Sequence, residues 1–285
     1  MSRLVALFFL LCTGLAQAAA PTVLQRPIDL DTGQGVLHGS LLLPQQPTPP
    51  PVVLIIAGSG PTDRDGNNPA SGRVDNLKRL ALLLANEHIA SVRYDKRGVA
   101  ASQPATPDER DLSVERYVAD VVAWSRKLKA DPRFGPLILI GHSEGALIAS
   151  LAAEQAGASA VITLAGSGRP LADVLREQLA QRLPPAQLAG GSALLDRLQA
   201  GQTSLEVPAP LRQVFRPSVQ PYLISLFQQN PAAAFARLPM PALIVQGRND
   251  VQVGVIDAER LKAAKPDAQL VLIDGMNHKI GRAHV

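Results

Sequence analysis

The sequence predicts an α/β protein built on a mostly parallel central sheet, and three observations carry that prediction. Short runs of Val, Ile and Leu recur along the chain, in PVVLIIAG, ASVRYD, PLILIGH, AVITLAG, PALIVQG and QLVLID. Strands buried on both faces read as continuous apolar runs of this kind. Segments of helical period lie between the runs, and such alternation implies parallel crossovers. Ahead of both, TVLQRPIDL and VLHGSLLLP alternate around DTGQG, which predicts an N-terminal antiparallel hairpin.

Taken in order, the elements divide the chain. Arg3 precedes the apolar run LVALFFLLCTGL and then AQAAAP, with small residues where a signal peptidase cuts. Residues 1–18 are therefore expected to be a signal peptide, cleaved after Ala18 or, alternatively, Ala20. The run is too short for a comfortable transmembrane helix, so no stable span is expected after cleavage and the location is periplasmic or secreted. Cys12, the sole cysteine, leaves with that segment, which excludes disulfides, a thiol nucleophile and zinc–thiolate sites from the mature chain.

After the hairpin, QQPTPPP breaks the chain. Leu77, Leu80, Ala81 and Leu84 then share one helical face, as do Val114, Tyr117, Val118, Val121 and Leu128. Residues 19–166 and 239–278 are expected to form the sheet-bearing core. Between them, 167–238 contains no strand-like run and is punctuated by Pro184, Pro185, Pro208, Pro210, Pro217, Pro221 and Pro231. Its apolar content is too high for disorder, so several short helices are expected. An insertion leaving a strand's carboxyl end is read as a cap over the ligand crevice of the sheet; a helical subdomain packed to one side is the alternative. The formal charge of +4 comes with no Lys/Arg cluster interleaved with aromatics, and aromatic residues make up only 4% of the chain. Nucleic acid is excluded as a partner on that composition.

The stretch LILIGHSEGALIAS, residues 137–150, turns from a buried strand into a helix through Gly-His-Ser-Glu-Gly. Such a corner needs neighbours without bulk, supplied by Gly141 and Gly145, and it presents Ser143 at the carboxyl edge of the sheet. The helix start leaves N–H groups unpaired, so the Glu144 N–H is the natural first donor to an oxyanion. A serine hydroxyl needs a base. His142 is adjacent, but neighbouring side chains diverge at a sharp corner. His38, His88, His278 and His284 remain; His278 follows the last apolar run and so lies at the same sheet edge as Ser143. Asp250, after LIVQGRN, reaches that edge too, and Asp274, close to the histidine in sequence, is the competing acid. The order Ser143, Asp250, His278 suits a nucleophile, an orienting acid and a base on one sheet.

AGSGPTDRDGNN, SVRYDKRGVAAS, GHSEGA, GRNDVQV and GMNH resemble, in order, motifs of the α/β-hydrolase family, specifically its secreted serine esterase-like members with a helical lid, the serine aminopeptidase S33-like hydrolases. The resemblance runs from about Val52 to His278. It implies an α/β-hydrolase fold and a second oxyanion donor in the loop after VVLIIAG, the N–H of Ser59, against which stands a plain tight turn at Gly58 and Gly60. It implies hydrolysis of a small carboxylic ester through an acyl-enzyme, with no metal or organic cofactor; a peptidase or amidase, a thioesterase, and a non-catalytic binding protein on the same scaffold are the alternatives. Asp63, Arg64, Asp65, Asp95 and Arg97 are expected to brace loops. The family continues past its histidine loop with a helix; here KIGRAHV lacks apolar periodicity, so that helix is expected to be missing and 279–285 to be a non-native tail. Oligomeric state is not legible in the sequence.

Overall fold

A computed structural model describes residues 22–282 apart from Ser71; the expected signal peptide, Cys12 and His284 lie outside the described residues. The hairpin forms as β1 (Val23–Asp31) and β2 (Val36–Pro44), paired antiparallel. Six further strands follow: β3 (Val52–Ile56), β4 (Ala90–Tyr94), β5 (Leu137–His142), β6 (Ala160–Leu164), β7 (Ala242–Gly247) and β8 (Gln269–Ile273). They make one eight-stranded sheet in the order β1-β2-β4-β3-β5-β6-β7-β8. The β2–β4 pairing is antiparallel, and every pairing from β4 to β8 is parallel.

The helices sort by their apolar stripes. In α1 (Asn76–Asn86) Leu77, Ala81 and Ala85, spaced four apart, are buried. They cover one face of the sheet against Leu42, Val53, Ile55 and Ile140. α2 (Val114–Lys129) starts at Ser113, whose hydroxyl accepts the Arg116 N–H, the exchange that a helix start favours. Its Trp124 is fully buried and meets Tyr94 at a ring-centroid distance of 5.5 Å. α3 (Glu144–Ala156) and α9 (Val255–Ala264) pack on that same opposite face.

Residues between β6 and β7 form α4 (Leu171–Arg182), α5 (Pro185–Gln199), α6 (Arg212–Phe215), α7 (Gln220–Phe227) and α8 (Pro231–Ala236). The prolines act as helix starters: Pro185, Pro221 and Pro231 occupy first-turn positions, where the missing N–H costs nothing. Leu194, Leu195, Leu198, Phe215 and Leu226 give this segment its buried interior. It joins the main core where Tyr222 meets Tyr117 edge-on at 5.4 Å and the Val114 N–H donates to Ser225 Oγ at 3.0 Å.

β3 has β4 on one side and β5 on the other, so the chain leaves β3 in one direction and later returns to the opposite side. A crevice opens outside the carboxyl ends at such a reversal of strand order. The segments there are the loop after β3, beginning at Gly58, and the corner after β5, at Ser143.

Candidate active site

The corner after β5 is set by close approach. Ser143 has φ 54° and ψ −119°, a region that L side chains rarely occupy and that persists only when surroundings hold it. Here they do. A Cβ on Gly141 would lie 2.1 Å from the Gly145 carbonyl oxygen, and one on Gly145 would lie 2.3 Å from that of Ile56. The Ser143 N–H donates to Leu164 O at 2.8 Å, which fixes the corner to β6.

Ser143 Oγ lies 3.0 Å from His278 Nε2, and His278 Nδ1 lies 2.8 Å from Asp250 Oδ2. Asp250 has a fully buried side chain. Its Oδ1 accepts the N–H groups of Gln252 and Val253, and Oδ2 also accepts from Gln246 Nε2 at 3.2 Å. Burial alone would push its pKa up; the hydrogen bond and charge of His278 and the two backbone N–H groups outweigh that and hold it below the ordinary carboxylate value. The competing Asp274 has a side chain 91% exposed, paired with Arg248.

The other histidines are occupied elsewhere. His38 faces Asp29 on the hairpin, and His88 follows α1. His142, set aside as a base, makes a contact that sequence reasoning missed: its Nε2 lies 2.7 Å from the His278 carbonyl oxygen. A carbonyl only accepts, so Nε2 carries the proton. Burial, then the neighbouring His278, push the His142 pKa down to about 4, so the ring is a neutral donor at physiological pH. Asn76 adds a second hold, donating from Nδ2 to Lys279 O at 3.0 Å.

Ser59 and Glu144 flank the serine. Gly58 sits against it, since a Cβ there would lie 3.2 Å from Ser143 Cβ. Glu144 opens α3. Among the described residues neither the Ser59 nor the Glu144 N–H meets a protein acceptor. The Glu144 carboxylate is buried beside Lys96, a residue that sequence reasoning passed over.

The remaining charges brace loops. Asp63 accepts the N–H groups of Asp65 and Asn67, Arg64 donates to Asp95, Arg93 to Asp65, and Arg97 to Asp120. Among the described residues no cluster of His, Cys, Asp and Glu could hold a metal ion, and no helix is long and apolar enough to cross a membrane.

The sequence profile described as "Alpha/beta hydrolase family" matches residues 52–284. Esterase EstD of Thermotoga maritima is 28% identical over 247 residues, covering 85% of this chain. The chain spans 57% of the length of that relative. Est1E from Butyrivibrio proteoclasticus, solved with ferulic acid bound, superposes with a TM-score of 0.65 at 18% identity, over 89% of this chain and 91% of its own. The alpha/beta hydrolase GrgF from Penicillium sp. sh18 gives 0.61 at 19% identity over 89% and 91%. At such identities the structural likeness speaks for the fold.

Proposed function

The chain belongs to the alpha/beta hydrolase family, and on that premise we propose that it is a serine hydrolase cleaving small carboxylic esters. The observation that carries the reading is the bridge made by one imidazole, 3.0 Å from Ser143 Oγ and 2.8 Å from Asp250 Oδ2. In this mechanism His278 Nε2 takes the Ser143 proton as Oγ attacks the ester carbonyl. Asp250 holds Nδ1–H and stabilises the imidazolium. The N–H groups of Ser59 and Glu144 receive the charge that develops on the carbonyl oxygen. His278 then protonates the leaving alcohol, and water, activated by the same base, releases the acyl group from Ser143.

Ester rather than amide or thioester cleavage is supported by the esterase named among the relatives. The helices between β6 and β7 are proposed to be a lid contributing to the acyl pocket. The apolar N-terminal run supports export to the periplasm or medium.

Intact mass after a fluorophosphonate probe, beside Ser143→Ala, tests the reading. One adduct per chain, absent from the variant, is expected, with p-nitrophenyl ester hydrolysis in the variant reduced by about 10⁵–10⁶-fold. A folded wild-type chain with neither adduct nor ester turnover overturns it in favour of a binding protein. Faster cleavage of the matching anilide or thioester would retain the triad and replace the substrate class.

A further inference from the structure

We propose that Lys96 is a positioning residue for the oxyanion site, its ammonium tying together the two peptide segments that supply the N–H donors. The proposal rests on the serine hydrolase reading of Ser143. Lysine is almost never fully buried unless paired, yet the Lys96 side chain is 3% exposed. Its Nζ donates to the Gly58 carbonyl at 2.5 Å and stands 3.7 Å from Glu144 Oε1, on a side chain itself 7% exposed. It also lies over the Tyr117 ring, 5.3 Å from the centroid, within the range of a cation–π attraction.

The two polar contacts each lead to a donor. The Gly58 carbonyl and the Ser59 N–H belong to one planar trans peptide, so they point in opposite directions. Fixing the carbonyl on the ammonium turns the Ser59 N–H away from Lys96, in a peptide whose Gly58 already lies against Ser143. An ammonium on the oxygen also polarises the amide, since hydrogen bonds in series strengthen one another. The second donor, the Glu144 N–H, is on the residue whose carboxylate faces the same ammonium. One side chain from the end of β4 thus links the loop after β3 to the corner after β5, and neither segment is near it in sequence.

Burial lowers the Lys96 pKa and the Glu144 charge opposes that shift. Glu144 in turn raises the Tyr222 hydroxyl pKa, behind the larger effect of burial. A brace that served stability alone would leave catalysis intact once the fold was secured, and this separates the two roles.

Lys96→Met keeps the aliphatic length and removes the charge and donor. In the purified chain we expect kcat for a p-nitrophenyl ester to fall about 10–100-fold, below the loss from deleting a whole oxyanion donor. KM should stay within about twofold, and affinity for a trifluoromethyl ketone, which forms the tetrahedral oxyanion on Ser143, should fall by the same factor as kcat/KM. A folded variant with unchanged kcat and ketone affinity, whatever its melting temperature, overturns the proposal. Should the unpaired Glu144 prevent folding, Lys96→Met combined with Glu144→Gln removes both charges. The same paired loss is then expected, and wild-type kcat in the double variant overturns the proposal equally. Absence of probe labelling and ester turnover in the wild-type chain would overturn the underlying hydrolase reading, and this proposal with it.

Discussion

The Ser143 corner and the His278 loop face each other across 3.0 Å, yet they are held in place by different means. Ser143 follows an interior strand, flanked by β3 and β6, and its backbone is confined by two glycines whose every neighbour is main chain. His278 follows β8, the last strand of the order, which is alternately exposed, with Val271 and Ile273 43% and 40% accessible. Its loop is held by contacts from far along the chain: His142 on the His278 carbonyl, Asn76 on that of Lys279, and the Asn249 N–H on that of Met276. The nucleophile is located by local backbone geometry, the base by tertiary hydrogen bonds. Perturbing the first should damage folding and activity together, whereas perturbing the second should separate them.

The largest separation is expected at Asp250→Asn. The amide keeps the shape of the pocket and the backbone contacts, but it favours the wrong His278 tautomer. Ester kcat should fall about 10⁴-fold with the fold intact, read by turnover beside circular dichroism. A loss under tenfold would mean that another group orients His278, and the comparison would break at its base.

Gly145→Ala tests the other side. Its new Cβ would meet the Ile56 carbonyl oxygen at 2.3 Å and that of Ala57 at 2.8 Å, both backbone atoms with no flexible end to yield. Stability should drop by about 1–3 kcal/mol in a denaturant titration. Activity should fall about 100-fold, the cost of misplacing a reacting group by about 1 Å. Wild-type stability and activity in this variant would show that the corner is less confined than its contacts indicate.

This division also explains what was legible beforehand. Continuous runs such as VVLII and LILIGH mark six of the eight strands and alternation marks the two of the hairpin, but the run QLVLI forms a strand, β8, with no buried residue, because it lies at the sheet's edge. Ser143 could be picked out because the glycines that its corner needs, Gly141 and Gly145, stand two residues to either side of it, although what they pack against, Ile56 among others, lies far along the chain. Asp250 and His278 could be placed at the right sheet edge, since each follows a strand, but their 2.8 Å contact depends on how two loops fold back. Lys96 and His142 were invisible in their roles because each acts on a backbone carbonyl brought near by tertiary structure, and carbonyls carry no sequence signature. Glu144 was equally open: a carboxylate at the first position of a helix ordinarily faces water, and here it is buried beside Lys96, which comes from far along the chain.

The smallest effect on turnover, and the sharpest on stability, is expected at His142→Gln. Glutamine is neutral and can still donate to the His278 carbonyl, so activity at pH 8 should stay within about threefold, the scale of a modestly strained hydrogen bond. The acid response should change more. The His142 pKa falls from 6.5 to about 4 on folding, so the unfolded chain binds the proton that the folded chain refuses. Its contribution to stability is fully present above pH 6.5 and is lost as pH falls towards 4. Over that window the wild type should lose about 3 kcal/mol through this group, at 1.36 kcal/mol per pKa unit. Asp250, whose carboxyl pKa is depressed from 3.8, adds its own loss only at lower pH, so the two windows separate. Urea titrations at pH 7, 5.5 and 4.5 should therefore give a steep decline in the wild type and a shallower one in His142→Gln. Parallel declines would mean that His142 is protonated in the folded chain, and its ring could then not be the neutral donor that holds the His278 loop.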